Sequence, residues 1–178
     1  LVDGASTDNT RALMCEFALD NKDEFRRVVV LDNPKKTLPS GWNVALREYK
    51  GDAIIKVDAH AVIPEDFVSK NVRVLETGEY ICGGQRPNII DKPTPFKETL
   101  LLAESSMFGS SIAPYRNGGN GTEEKIYMKS LFHAAYRREV FEEIGHYNES
   151  LARTEDNEIH YRMRKAGFKL RFCPDIIS

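Results

Sequence analysis

The residues best suited to chemistry are an acid and an imidazole two positions apart, Asp58 and His60, which follow a short apolar run over residues 53–57. This run predicts a buried strand, because it is rich in β-branched residues and begins just after a turn signal, Gly51-Asp52. Alternate side chains of a strand share a face, so both groups should project together from its carboxyl end, where open α/β sheets bind ligands. They could hold a divalent cation against a substrate phosphate. The alternative is a turn-forming Asp beside a solvated His.

A second group of acids opens a late helix, predicted over residues 155–166 with Thr154 as its cap and Gly167 just beyond its end. Glu155 and Asp156 lie in the first turn of this helix. A carboxylate in that place can act as a general base toward a hydroxyl group. The alternative is that these acids only stabilise the helix through its dipole.

Length and composition exclude several classes of protein. A chain of 178 residues suits one domain with a substantial core. Charge is nearly balanced, with 25 Lys and Arg against 27 Asp and Glu, which argues against a nucleic-acid partner. Cys15, Cys82 and Cys173 are widely spaced, as expected for buried thiols of a reduced cytoplasmic protein. No apolar run approaches the roughly 20 residues of a membrane span, and we see no signal peptide.

The elements that position both acidic sites alternate between strands and helices. In the first half, strand patterns end at Asp3 and cover 27–31 and 53–57, and helix patterns follow each of them. Such an order predicts an α/β fold with a mostly parallel sheet and helices on both faces. The third helix should bury a stripe of four apolar residues: Phe67, Val68, Val72 and Leu75. Later elements are strands at 80–84, 129–136 and 170–172, helices within 93–108 and at 138–144, and a glycine-rich loop at 117–121 that could act as a lid.

Taken together, these motifs resemble family 2 glycosyltransferases, the inverting group with the GT-A fold. Val2-Asp3-Gly4-Ala5-Ser6-Thr7-Asp8 is similar to the family's Val-Asp-Asp-Gly-Ser-Thr-Asp segment, and Val57-Asp58-Ala59-His60 stands where the family has Asp-x-Asp. Gly41-Trp42-Asn43 resembles the segment that leads into the metal strand. Thr154-Glu155-Asp156, with the Arg-x-x-x-x-Gly helix end at 162–167, is similar to the Glu-Asp motif. The resemblance covers almost the whole chain.

Two further segments narrow the resemblance. Pro64-Glu65-Asp66-Phe67 and Tyr136-Arg137-Arg138-Glu139-Val140-Phe141 look most like bacterial exopolysaccharide transferases of the succinoglycan glucosyltransferase type. The resemblance implies one glycosyltransferase domain over 1–178, with a nucleotide-binding half at about 1–62 and an acceptor and catalytic half at about 63–178. It also implies transfer from a nucleoside diphosphate sugar, a UDP-sugar, to an acceptor hydroxyl.

The resemblance assigns roles residue by residue. Asp3 should read the nucleotide base, Asp58 should bind the ribose or the metal, and His60 should ligate the metal. Asp156 should be the catalytic base, with Glu155 as the fallback. Because an imidazole ligand disfavours Mg²⁺, we expect Mn²⁺ in preference to Mg²⁺.

These roles require the Asp58–His60 segment and the acidic start of the late helix to face each other across one cleft. The acceptor should be a saccharide or a lipid-linked saccharide, with His133 and Arg86 as candidates for its side of the cleft. We expect a cytoplasmic protein, at the inner face of the cell membrane if segments outside this chain associate with it. The family's first strand is not in the sequence, and its loss should leave interior strand edges open to pairing with a second copy as a homodimer.

Two other functions are compatible with the residues. One is a catalytically inactive module that binds sugar nucleotides, as the missing strand and the altered metal motif would permit. The other is a metal-dependent nucleotidyltransferase, although that class usually carries a glycine-rich phosphate loop, which this sequence does not show.

Overall fold

The computed structural model describes residues 1–87, 89–90, 92–106, 126–151 and 153–178, and these form two compact units. The first unit contains Leu1–Gly51 and Gly145–Ile159, and the second contains Asp52–Ile144 and His160–Ser178. The predicted lid at 117–121 lies outside the described residues. The assignment of one domain with halves near 1–62 and 63–178 stays a prediction.

The first unit repeats a strand and a helix. Its strands, β1 (Val2–Asp3) and β2 (Leu31–Asp32), are parallel, and Asp3 lies opposite Asp32 at their carboxyl ends. The helices α1 (Thr10–Asp20) and α2 (Leu38–Glu48) follow the strands in turn. Backbone contacts extend the short strands at both ends, because Leu31 N donates to Leu1 O at 2.9 Å and Asn33 N donates to Asp3 O at 2.7 Å. Parallel strands joined through a helix confirm the α/β reading of this part of the sequence.

The second unit is built on a five-stranded sheet with strand order β3-β6-β4-β7-β5. Within it β4 and β7 are parallel, whereas β6 is antiparallel to both β3 and β4, and β5 is antiparallel to β7. The α/β class is confirmed, but the sheet is mixed rather than mostly parallel. Its strands are β3 (Ala53–Ile55), β4 (Ile81–Gln85), β5 (Tyr127–Met128), β6 (Ala135–Arg137) and β7 (Leu170–Ile177). The helices that the structure describes after α2 are α3 (Phe67–Glu76), α4 (Pro95–Ser105), α5 (Arg138–Ile144) and α6 (Glu155–Lys165), of which α6 begins in the first unit.

Helices cover both faces of this sheet, as β6 shows. Ala135 belongs to a cluster with Leu75 of α3 and Cys82 of β4. The next residue, Tyr136, points to the other face, where its hydroxyl forms a hydrogen bond with His160 Nε2 of α6. Because successive side chains of a strand alternate, one strand can contact a helix on each face.

The helix α3 corrects one sequence-based expectation. Phe67 and Leu75 are buried as predicted, but Val68 and Val72 are exposed and Asn71 is fully buried in their place. The Asn71 amide donates to Phe67 O at 2.8 Å, so its burial leaves no unsatisfied donor there. The buried stripe therefore follows the i, i+4, i+8 row, and it includes a polar residue.

The last strand also differs from the prediction, because β7 runs through Pro174 instead of ending before it. Pairing with β4 shifts register at this point: Gly84 lies opposite Cys173, but Gln85 lies opposite Ile177. Proline has no N–H to donate to the ladder, so a bulge is the place where a strand accepts it. A Cβ at Gly84 would overlap Ile176 O and lie 2.5 Å from Cys173 O, which explains the glycine.

Candidate active site

The segment that carries Asp58 and His60 follows β3 in a turn. The strand ends at Ile55, and Ala61 N donates to Asp58 O at 3.0 Å. Asp58 is half-buried and His60 is exposed. Strand alternation therefore does not set the direction of these two side chains, because both lie beyond the strand's end.

Asp58 is held by a histidine that the sequence gave no reason to place there. Its backbone N–H donates to His133 Nε2 at 3.3 Å, and the same nitrogen lies 3.5 Å from Asp58 Oδ2. The pKa of Asp58 is lowered by its contact with His133 and by the positive charge of Lys56, whereas burial acts in the opposite direction. A carboxylate kept ionised in this way suits a site for a cation or for hydroxyl groups.

Two cations lie against one aromatic ring in the same unit. Lys56 is buried, and its Nζ lies 5.7 Å from the centroid of Phe132. Arg86, just after β4, places its Cζ 4.4 Å from that centroid. Such cation–π contacts help to keep a desolvated cation in place. The signal in the sequence was a lysine inside an otherwise apolar strand pattern.

Asp3 lies at the carboxyl end of β1 and is only 3% exposed. Ser6 Oγ donates to Asp3 Oδ1 at 2.6 Å, and Ser6 N lies 3.3 Å from both carboxylate oxygens. The carboxylate thus shapes the turn that starts at Gly4. Two carboxylate oxygens offer about four acceptor sites, so Asp3 retains capacity for a further donor.

The acidic start of α6 lies in the same unit as Asp3. Glu155 is 7% exposed and Asp156 is half-buried. Thr154 has a left-handed backbone, with φ of 64°, and its hydroxyl donates to Arg153 O at 2.6 Å, so its side chain does not cap the helix as predicted. No hydrogen bond or ion pair engages the Glu155 carboxylate within the part of the chain that the structure describes.

His160, in the second turn of α6, is fully buried and anchors the helix in the second unit. Its Nδ1 lies 2.9 Å from Ser130 Oγ, and its Nε2 lies 2.8 Å from Tyr136 Oη. Burial first, and then the positive charges of Lys56 and Arg164, lower the pKa of His160 to about 3. The imidazole is therefore neutral at physiological pH and satisfied at both nitrogens.

Asn43, the last residue of the Gly41-Trp42-Asn43 motif, has a structural role within the first unit. Its Nδ2 donates to Tyr147 O at 3.0 Å and to Glu149 Oε1 at 2.8 Å, and its Oδ1 accepts from Tyr147 N at 2.8 Å. The buried amide thereby ties α2 to the segment that precedes α6. The family resemblance included this motif, but the sequence did not predict the contact between Asn43 and Tyr147.

Arg137, in the Tyr-Arg-Arg motif, also has a structural role. Its Nη2 donates to Leu75 O at 2.6 Å, and its Nε donates to Glu79 O at 3.1 Å. These contacts satisfy carbonyl groups at the end of α3, where intrahelical donors run out. Arg162, at the start of the Arg-x-x-x-x-Gly helix end, donates to Ile144 O at 2.8 Å.

Asp58 and His60 offer one carboxylate and one imidazole for a metal ion. No group of three or more His, Cys, Asp or Glu side chains among the described residues could hold a metal ion by itself. A cation that also takes oxygen ligands from substrate phosphates needs only one or two protein ligands. A carboxylate and an imidazole are therefore compatible with a divalent cation that also binds substrate phosphates.

The site residues divide between the two units. Asp3, Glu155 and Asp156 belong to the first unit, whereas Asp58 and His60 belong to the second.

No described helix is long and apolar enough to cross a membrane.

Comparison with solved structures shows the fold. The chain is similar to the mannosyltransferase PcManGT from Pyrobaculum calidifontis, solved in complex with GDP-Man and Mn²⁺, with a TM-score of 0.68, 20% identity, and coverage of 99% of this chain and 45% of that one. It is also similar to S. aureus TarS 1–349 in complex with UDP, with a TM-score of 0.65, 17% identity, and coverage of 98% and 47%. These likenesses confirm the GT-A fold.

Comparison with known sequences shows the family. Residues 1–145 match Glycosyl transferase family 2. The succinoglycan biosynthesis protein ExoA of Rhizobium meliloti (strain 1021) is 31% identical over 175 residues, which are 96% of this chain and 49% of that protein. The O-antigen chain rhamnosyltransferase WbaN of Salmonella anatum is 25% identical over 98% of this chain and 53% of its own length. The chain thus spans about half the length of these curated relatives. It belongs to glycosyl transferase family 2.

Proposed function

We propose that this chain forms the nucleotide-sugar site and the catalytic base of an inverting glycosyltransferase in exopolysaccharide synthesis. The donor is a UDP-sugar, and the acceptor is a hydroxyl of a saccharide or a lipid-linked saccharide at the cytoplasmic face of the membrane. The observation that carries the proposal is the half-buried Asp58 on the turn after β3, whose backbone N–H donates to His133 Nε2. The family membership and the neighbours solved with GDP-Man and Mn²⁺ or with UDP support it.

Each residue of the donor site binds a different part of the nucleotide sugar. Asp3 accepts a hydrogen bond from the base, for which its carboxylate retains acceptor capacity beside Ser6. Asp58 binds the ribose or a divalent cation, and His60 is a ligand of that cation, Mn²⁺ in preference to Mg²⁺. When bound, the cation supplies charge stabilisation to the departing diphosphate.

Asp156 holds the acceptor hydroxyl and takes its proton as the oxygen attacks the sugar from the face opposite the diphosphate. Inversion follows from this single displacement. Glu155 is the alternative base, since it is buried and its carboxylate has no recorded partner among the described residues. Both roles require the start of α6 and the Asp58 turn to border one cleft, and a crystal soaked with UDP and Mn²⁺ would test that arrangement directly.

The test is a comparison of Asp156→Asn with Glu158→Gln, which removes a charge from the same helical turn. Transfer from candidate UDP-sugars is followed by UDP release with Mn²⁺ present, and UDP affinity is measured separately. General-base catalysis contributes about 10²- to 10⁴-fold, so Asp156→Asn should lose about that much rate and keep its UDP affinity. Glu158→Gln should stay near the wild-type rate.

Three results would contradict the proposal in different ways. If Asp156→Asn transfers sugar at the wild-type rate, Asp156 is not the base, and Glu155 becomes the candidate. Donor binding without turnover in the wild-type protein would indicate an inactive binding module. Transfer of the UMP group to an acceptor, with release of sugar 1-phosphate from the UDP-sugar, would indicate a nucleotidyltransferase.

A further inference from the structure

His133 has a strained conformation in the segment that leads into β6. Its backbone is left-handed, with φ of 43°, and its side chain is only 2% exposed. Non-glycine residues seldom adopt this conformation, although His, Asn and Asp do so more often than others. A buried residue keeps such a conformation when its surroundings fix it, and functional sites are where this is most common.

The strain lies where the pairing of two strands stops. β3 and β6 pair as far as Ile55 opposite Ala135, and one more backbone bond joins Lys56 N to Ala134 O at 3.1 Å. Beyond that bond, the Asp58 N–H donates to the side chain of His133 instead of to a carbonyl group. The His133 imidazole thus accepts the next hydrogen bond along the chain after the last one between β3 and β6. The residue that donates this bond is Asp58, which is proposed to bind the sugar nucleotide.

The two contacts of Nε2 compete for its lone pair. A nitrogen that accepts from the Asp58 N–H, at 3.3 Å, has no proton to donate to Asp58 Oδ2, at 3.5 Å. The backbone contact is the shorter one and has hydrogen-bond geometry, so Nε2 is the acceptor in this pair.

We infer that His133 is a positioning residue for Asp58. Its imidazole fixes the backbone of the Asp58 turn to β6, and this contact orients the Asp58 carboxylate toward the sugar nucleotide. The inference rests on the proposed function of Asp58, and it assigns His133 to the donor side. Partners of this kind, which orient a ligand residue without touching the substrate, typically change affinity by about 10- to 100-fold.

The test compares His133→Leu with His133→Gln in the full-length protein. Neither Leu nor Gln favours the left-handed backbone, so both variants carry a similar conformational cost, and only Gln retains a side-chain acceptor within reach of the Asp58 N–H. UDP affinity is measured by calorimetry with Mn²⁺ and without acceptor. We expect His133→Leu to bind UDP about tenfold more weakly and His133→Gln to recover most of that loss.

Two results would overturn the inference. One is equal UDP affinity in His133→Leu and His133→Gln, whether both match the wild type or both are weak. The other is an NMR spectrum in which the ¹⁵N shifts of His133, assigned by comparison with His133→Gln, show a protonated Nε2.

Kinetics separate this inference from the proposed function. His133→Leu should raise the donor KM and leave the acceptor KM unchanged. If the wild-type protein binds UDP and never transfers sugar, the proposed function fails while the affinity comparison still tests His133. If transfer occurs and all three proteins bind UDP alike, only the inference about His133 fails.

Discussion

The buried His160 should make the protein lose stability in mild acid. In the folded protein its pKa is about 3 because burial disfavours the charged imidazole, whereas in the unfolded chain it returns to about 6.5. Below the unfolded value, the unfolded chain takes up a proton that the folded protein does not. Stability is therefore fully present above about pH 6.5, and it is lost progressively as the pH falls toward 3.

The size of this effect follows from the two pKa values. Each pH unit below the unfolded pKa costs about 1.4 kcal/mol, so His160 should lower the free energy of unfolding by about 2 kcal/mol between roughly pH 7 and pH 5. For a chain of this size that corresponds to a fall of roughly 4–8 °C in Tm. Urea denaturation followed by circular dichroism at several pH values measures it directly.

The control is His160→Gln, which keeps a polar side chain near Tyr136 and has no proton to take up. The variant should be less stable than the wild type at neutral pH, and the gap between them should narrow by about 2 kcal/mol at about pH 5. All other titrating groups are common to both proteins, so their contributions cancel. If the two stabilities fall in parallel, His160 accepts a proton in the folded state, and the account of a neutral buried anchor is wrong.

Three further predictions concern packing and binding. Gly84→Ala should destabilise the protein by about 3 kcal/mol or more because its Cβ would overlap Ile176 O, whereas Gly83→Ala, whose nearest contact would be 3.3 Å, should cost much less in thermal denaturation. Asn43→Ala should cost about 2–4 kcal/mol because it removes two buried hydrogen bonds between the Asn43 amide and the Tyr147 backbone. Urea denaturation measures this loss, and an unchanged free energy of unfolding would contradict the prediction. Removal of divalent cations with EDTA should weaken UDP binding, Mn²⁺ should restore it, and unchanged affinity would refute the cation's role at the donor site.

Local patterns predicted the secondary structure well where one physical rule dominated. The helix at 138–144 was predicted with its observed bounds, and Gly78, Gly145 and Gly167 end helices with positive φ, as their sequence positions indicated. On α3, helical periodicity predicted that Val68 and Val72 are buried, but both are exposed. It could not show that the Asn71 amide finds an acceptor in Phe67 O and is therefore the residue that can be buried.

Strand direction was beyond the reach of these rules. Alternation of strands and helices implies parallel pairing, and β4 with β7 follows it. β6 does not, because it enters the sheet between β3 and β4 in the opposite direction. The apolar pattern of a strand is the same in both directions, so the sequence could not distinguish them.

By itself, the sequence determined the family, the positions of most helices and strands, and the acidic residues that are candidates for chemistry. These follow from hydrogen-bonding periodicity and turn chemistry, which act over a few neighbouring residues. The tertiary structure alone decided which side chains support those candidates. The contact of His133 with Asp58 spans 75 positions, and that of Asn43 with Tyr147 spans 104. Such contacts depend on strand register and chain path, and no local pattern encodes these.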